Sequence, residues 1–180
     1  EDGTLSITGS GYMSNYSYIE PNLAPWNTQS ENIIKINVGP DVCSFGSYAF
    51  YKLEKVTSII FSDSITLIGM HSLEMCTSLT KIELPKNIKT IEDEAFSDTG
   101  IFTFTIPEII QYIPDGLFTS CKNLHTVNFI GNSKTIGNEV FYLCKNLKSI
   151  ILPEDLVDIG SNAFCGSGLI SIEIPKNIVD

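Results

Sequence analysis

The chain has 180 residues, of which 43% are hydrophobic and 18% charged, and its formal net charge is −10. This length is sufficient to bury a core without disulfides or metals. All eleven basic residues are lysines, so we do not expect the concentrated cationic patch that binds nucleic acid or anionic membranes. No apolar run approaches the about 20 residues that span a bilayer, so any secretion signal or membrane anchor is expected to lie outside this sequence.

Residues 1–32 lack the repeat that governs the rest of the chain, and we predict that they form an N-terminal capping segment. Leu5 and Ile7 alternate with polar residues, as in a half-buried strand. The apolar side chains expected to close the open end of the following core are Tyr12, Met13, Tyr18 and Trp26.

Residues 33–180 form an array that repeats every 22 or 23 residues. Two well-preserved copies read IGNEVFYLCKNLKSIILPEDLVD from Ile136 and IGSNAFCGSGLISIEIPKNIVD from Ile159. After a partial repeat at 33–44, the repeats start at residues 45, 68, 91, 113, 136 and 159.

Each unit is too short to bury its own apolar face, so stacked units must share a core, which predicts a solenoid. The Leu-x-x-Ile-x-Leu stretch, at 79–84 and 147–152, predicts a strand that pairs in parallel with its neighbours about 4.8 Å away. The apolar pair after the proline predicts a shorter strand on the opposite side, and the Ala-Phe segment predicts a helical turn with Phe in the core. Gly100 and Gly168 stand where the 22-residue copies lose a residue, as a tightened turn requires.

The unit I-G-x-x-A-F-x-x-C-x-x-L-x-x-I-x-L-P resembles that of BspA-like leucine-rich repeat proteins, and residues 3–7, 9–13 and 24–26 resemble that family's N-terminal segment. Departures from the pattern are Leu73, Leu117, Ser62 and Gly131. The resemblance implies a right-handed leucine-rich repeat solenoid. It also implies a cell-surface or secreted protein that adheres to host proteins, extracellular matrix or other cells. We predict that the protein is not an enzyme, and an enzyme of unrecognised type stays open as an alternative.

The last repeat ends without a segment comparable to the N-terminal one. Ile172, Ile174 and Ile178 lie on this coil with no polar lid. Two alternatives follow: the natural protein continues with more repeats, or another chain buries this edge. The second alternative makes a structural role, self-assembly as a homo-oligomer through the terminal coil, the runner-up functional hypothesis.

Three of the five cysteines, Cys76, Cys121 and Cys144, occupy the same repeat position and are predicted to be buried packing residues. Cys121 and Cys144 lie on adjacent coils, within the separation that a disulfide allows, so a bond between them stays open. The odd cysteine count and the lack of C-x-x-C spacing argue against a disulfide framework or a zinc site.

No residues with the spacing of a catalytic, cofactor or metal site stand out, so we predict none. His71 and His125 sit at different repeat positions two coils apart and form no plausible dyad. The acidic residues are spread over outer turns, as on a solvated face. They include Asp93, Glu94, Asp115, Glu139, Glu154 and Asp155.

The outward positions of the longer strands form columns along the array, which we call the strand face. Adjacent coils make such a surface an extended, rigid platform for a protein partner. Most of its residues are small and polar, so exposed aromatic or aliphatic residues are the stronger anchors. The candidate partner-binding residues are Ile60, Lys81, Glu83, Phe102, Thr103, His125, Asn128, Lys148, Ile151 and Ile170.

Overall fold

A computed structural model describes residues 2–178, so Glu1 and the last two residues of the predicted array lie outside the description. The described chain is a parallel β-solenoid with one 3-10 helix, Asn27–Asn32. Its strands are β1 (Thr4–Ile7), β2 (Lys35–Val38), β3 (Ser44–Phe45), β4 (Ser58–Ile60), β5 (Leu67–Ile68), β6 (Thr90–Ile91), β7 (Thr103–Ile106), β8 (Tyr112–Ile113), β9 (Thr126–Phe129), β10 (Thr135–Ile136) and β11 (Asp158–Ile159).

The longer strands form the strand face, in a sheet β1-β2-β4 and a second sheet β7-β9. Every pair is parallel, and within the repeat array the paired residues are one repeat apart: Lys35 lies opposite Ser58, and Thr103 lies opposite Thr126. The period read from the sequence is therefore the hydrogen-bond register of the solenoid. The predicted leucine-rich repeat solenoid is confirmed.

The strands predicted at 79–84 and 147–152 are absent, and this prediction is wrong. These segments keep the strand-like alternation, since Ile82 and Leu84 are half-buried while Lys81 and Glu83 are exposed. Packing of apolar side chains fixes which way each residue faces, but it does not set the backbone separation that a hydrogen-bonded ladder needs. The strand face consequently has two parts with strand pairing, separated by a segment that forms no strand.

The shorter strands on the opposite side are present as predicted. They pair in parallel as β3-β5-β6 and as β8-β10-β11. The break between these two sheets falls within the 22-residue copy that starts at residue 91. Gly100 in that copy has no room for a side chain, because a Cβ there would lie 2.3 Å from the Thr77 carbonyl oxygen.

The predicted compact turn around residues 95–96 is present, but its backbone is not helical. Residues at two positions of each such turn, as His71 and Met75 with φ of 53° and 60°, are left-handed. With this backbone, every second N–H of the turn points to the next coil. The His71 N–H donates to the Asp93 carbonyl, and the Met75 N–H donates to the Ser97 carbonyl. A helix would direct those bonds within its own coil. The turns therefore form a third row of hydrogen bonds along the solenoid.

A column of aromatic rings runs through the core, as predicted for the Phe of each unit. Phe96, Phe118, Phe141 and Phe164 stack with successive ring centroids 6.1, 5.8 and 5.4 Å apart. Leu73 holds the same repeat position one coil before Phe96 and is fully buried. The column makes the coils one continuous core.

The N-terminal segment packs on the first coil through β1 and Trp26. Trp26 stacks on Phe50 at 5.9 Å, and its Nε1 donates a hydrogen bond of 2.7 Å to the Ala49 carbonyl. Met13 is partly buried against the core. Tyr12 and Tyr18 were expected to help close the core, but they are 73% and 58% exposed, so that expectation is wrong. The half-buried Tyr16 packs edge-on against Trp26 instead.

Candidate functional site

All ten residues predicted to bind a partner are exposed, in agreement with their outward repeat positions. Ile60 ends β4, Thr103 begins β7, and Asn128 lies in β9, with Phe102 and His125 just before β7 and β9. The other five, Lys81, Glu83, Lys148, Ile151 and Ile170, lie in segments of the strand face that form no strand. The ten residues thus lie on the surface of the molecule. Backbone hydrogen bonds between strands order one part of the strand face, and side-chain packing orders the rest.

A groove of about 1320 Å³ lies on the strand face along the segment between β4 and β7 that forms no strand. Lys81, Glu83 and Thr103 line it. The Lys81 Nζ lies 2.6 Å from the Glu83 Oε1, and this hydrogen bond, together with the lysine charge, lowers the pKa of Glu83. Sequence analysis did not single out Ile109 and Ile130, which are 59% and 70% exposed and also line the groove.

A second, smaller groove of about 450 Å³ lies further along the array. It brings together His125, Asn128 and Ile151 of the predicted set. The His125 ring centroid lies 5.9 Å from that of Phe102 on the preceding coil, which joins Phe102 to this part of the surface. The structure therefore places six of the ten predicted residues along two grooves.

Phe102 and three other predicted residues line neither groove. Ile60 lies on β4, and Ile170 is 90% exposed on the last coil. Lys148 donates from Nζ to the Lys145 carbonyl at 2.8 Å, so its ammonium group is held beside its own coil.

The hydrogen-bonded turns form a row along the solenoid, which we call the turn row. It holds a cluster of His71, Glu74 and Glu94 that sequence analysis did not identify. The Nδ1 of His71 lies 2.7 Å from Oε2 of Glu74 and 3.7 Å from Oε2 of Glu94. The three side chains are half-buried, and the His71 ring stacks on Tyr48 with centroids 4.6 Å apart. The signal was present in the sequence: His71 and Glu94 are 23 residues apart, the repeat length, and Glu74 follows His71 by three residues.

Burial and nearby charges both shift the pKa values of this cluster. Burial by itself lowers the pKa of His71, but the hydrogen bond to Glu74 and the negative charges of Glu94, Glu74 and Asp93 raise it above its ordinary value. Burial raises the pKa of Glu94, and the charges of Glu74, Asp93 and Glu139 raise it further, against the opposing effect of His71. His71 and Glu94 are therefore not freely solvated surface groups.

The cysteine column packs as predicted, with all five cysteines as free thiols. The Sγ of Cys76, Cys121 and Cys144 each donates to the carbonyl of the Phe on the preceding coil, at 3.2, 3.1 and 3.1 Å. Burial raises the pKa of Cys76 to about 12 and that of Cys121 to about 11. These thiols satisfy their hydrogen bonds internally and are poor nucleophiles.

Within residues 2–178, no helix is both long enough and apolar enough to cross a lipid bilayer.

Solved structures with the same fold come from several bacteria. A leucine rich cell surface protein from Faecalibacterium prausnitzii is 22% identical with a TM-score of 0.72, over 94% of this chain and 47% of that protein. A leucine-rich repeat protein from Bacteroides ovatus is 23% identical with a TM-score of 0.69, over 97% of this chain and 52% of that one. The leucine rich repeat protein of T. pallidum is 22% identical with a TM-score of 0.72, over 91% and 80%.

The chain thus spans about half the length of the first two of these structures. Among curated proteins, none matches it. The pattern of the BspA type leucine rich repeat region, in six copies, matches residues 28–125 and 111–180. The match accounts for most of the sequence, and its repeat is the unit that stacks in the structure. The chain belongs to the BspA type family of leucine-rich repeat proteins, whose members are in general protein-interaction modules without enzymatic activity.

Proposed function

We propose that this protein binds other proteins through its strand face, at the cell surface or after secretion, and so mediates adhesion to host proteins, extracellular matrix or other cells. The observation that carries the proposal is the apolar exposure of this face. Phe102 is 45% exposed, Ile60 64%, Ile151 88% and Ile170 90%. Apolar side chains held in the open on a rigid surface are typical anchors of protein interfaces.

The charges around the larger groove favour a protein over a polyanion as the partner. Lys81 pairs with Glu83, and Lys86 Nζ lies 3.6 Å from Asp63 Oδ2 at the same groove. Three lysines and three acidic residues line this groove, so it offers no net positive potential for a phosphate backbone. Mixed charges around apolar side chains match the polar rim and apolar centre of a protein interface.

Two double variants test whether the strand face is the binding surface. Phe102→Ala with Ile151→Ser removes one aromatic and one aliphatic anchor from it. Tyr12→Ala with Ile19→Ser is the matched control, because both residues are well exposed, at 73% and 58%, but lie in the N-terminal segment. Binding of each purified variant to a panel of immobilised extracellular matrix proteins is measured by surface plasmon resonance.

We expect the strand-face variant to bind at least about tenfold more weakly than wild type, since anchor residues each contribute more than about 1 kcal/mol. The control variant is expected to bind like wild type. Equal binding by wild type and the strand-face variant would reject this face as the site. No binding of wild type to any panel member would remove the support for matrix adhesion.

Self-assembly through the last coil stays the second hypothesis. Ile174 on that coil is 49% exposed, while Ile172 and Ile178 are partly buried against the core. An apolar edge of a solenoid is stabilised when another coil covers it. Light scattering over a range of protein concentrations tests this hypothesis, and a monomer at every concentration would reject it.

A further inference from the structure

The cluster of His71, Glu74 and Glu94 on the turn row is held by backbone hydrogen bonds between three coils. The His71 N–H donates to the Asp93 carbonyl at 3.0 Å, and the Glu94 N–H donates to the Asp115 carbonyl at 2.9 Å. Both residues have left-handed backbones, which direct these N–H groups along the solenoid. The three side chains therefore project from a rigid part of the molecule, as a preorganised ligand site requires.

The ligand atoms of the cluster lie at separations that are compatible with a metal site. One ligand atom from each residue, the His71 nitrogen and two carboxylate oxygens, lies within 4.8 Å of the other two. Zinc takes such ligands at about 2.0–2.2 Å, which puts tetrahedral ligands about 3.4 Å apart. The separations of 2.7 and 3.7 Å from Nδ1 bracket that value. Side-chain shifts of about an ångström complete the arrangement.

The charge of the cluster also favours a cation. In residues 2–178, the carboxylates of Glu74 and Glu94 form ion pairs with His71 alone. Two carboxylates thus face one imidazole, which leaves the cluster negative whether or not the ring is protonated. Asp93 and Glu139 add further negative charge nearby. A divalent cation would neutralise this excess.

We infer that His71, Glu74 and Glu94 bind a zinc ion, with one coordination position left open. The imidazole nitrogen favours zinc over calcium and magnesium, which prefer all-oxygen sites. Stacking on Tyr48 at an interplanar angle of 20° orients the ring. On binding, the protonated ring loses its Nδ1 proton to solvent and keeps its Nε2 proton, so that the neutral imidazole donates the Nδ1 lone pair to the metal, as one oxygen of each glutamate also does.

Isothermal titration with zinc chloride at pH 7.5 tests this inference, with calcium and magnesium chloride as comparison ions. The experiment uses the chain carrying Cys43→Ser and Cys165→Ser, because these two thiols are not buried and thiolates also bind zinc. His71→Ala and Glu94→Gln remove one ligand each. His125→Ala is the matched control, since among residues 2–178 that exposed imidazole hydrogen-bonds to the Asn123 carbonyl alone.

We expect one zinc ion per chain and no measurable binding of calcium or magnesium. His71→Ala and Glu94→Gln should each weaken zinc binding at least about tenfold, and His125→Ala should leave it unchanged. Zinc should also raise the melting temperature of the parent protein but not that of Glu94→Gln, whose fold is checked by circular dichroism. The inference is overturned if the parent binds no zinc, if His71→Ala and Glu94→Gln bind as tightly as the parent, or if His125→Ala loses binding.

Discussion

Replacement of Phe118 by alanine is the sharpest test of the stacked core. Phe118 is fully buried, and its ring contacts three others: Phe96 at 6.1 Å, Phe141 at 5.8 Å and Phe104 at 4.8 Å between centroids. Truncation of a buried Phe to Ala destabilises a protein by about 3–5 kcal/mol. We expect a loss of about 4–5 kcal/mol here, because neighbouring rings on both sides are themselves fixed by stacking and cannot collapse into the cavity.

Phe118→Leu separates the cavity from the loss of aromatic contacts. Leu73 shows that the column accepts leucine at this repeat position. We therefore expect Phe118→Leu to lose only about 1–1.5 kcal/mol. Phe102→Ala, at an exposed position, should change the free energy of unfolding by less than about 0.5 kcal/mol, which also validates it as a binding variant.

Urea denaturation with two probes measures these effects. Far-ultraviolet circular dichroism reports on the whole array, whereas fluorescence of Trp26, the single tryptophan, reports on the coil next to the N-terminal segment. If the coils unfold as one unit, the transitions measured by circular dichroism and by fluorescence coincide. The Phe118→Ala variant tests whether they still coincide when the core contains a cavity. A loss below about 2 kcal/mol for Phe118→Ala, or equal losses for Ala and Leu, would refute the reasoning.

Two further predictions concern ionisable groups. Burial by itself raises the pKa of Asp115, but hydrogen bonds from Tyr112 and from the side chain and backbone of Asn138 lower it below its ordinary 3.8. Its stabilising contribution is therefore complete above that pH and is lost as the pH falls through the lower, folded pKa. Asp115→Ala should lower the free energy of unfolding at pH 7 by about 1 kcal/mol, a modest loss because the carboxylate is partly exposed. The variant should also flatten the acid limb of the curve of stability against pH, and an unchanged limb would contradict this. In titration with a thiol reagent at pH 8, exposed Cys165 should react at once, whereas buried Cys121 should react only on unfolding. The reason is that burial raises the pKa of Cys121 to about 11. Rapid reaction of all five thiols would contradict this prediction.

The repeat period predicted the parts of the fold that every coil shares. Inward positions such as those of Phe96, Phe118 and Phe141 carry similar residues because each coil packs on the next, and a single sequence therefore displays them several times. The short strands and the buried cysteine column follow from the same signal. The pattern also located Gly100 correctly, although close approach to the Thr77 carbonyl, rather than a left-handed backbone, excludes a side chain there.

Backbone detail was less accessible to sequence reasoning. Residues 79–84 and 103–106 have similar alternation of apolar and polar side chains, but only the second forms a strand. Alternation reports which side chains are buried, whereas a ladder depends on the distance between two backbones. The non-helical turns were missed for a related reason, since left-handed residues such as Met75 and Leu143 are not types that favour that conformation.

The residues at outward positions differ from coil to coil, unlike those of the core, and both proposed sites consist of such residues. Phe102 and Ile151 are apolar residues on a strand face whose outward residues are mostly polar, and His71 is the only histidine on the turn row. In a solenoid the core positions are constrained by packing, so departures at outward positions change function without changing the fold. The two proposed sites lie on different rows of each coil and share no residue. Loss of partner binding in Phe102→Ala with Ile151→Ser should therefore leave zinc binding intact, and His71→Ala should leave partner binding intact.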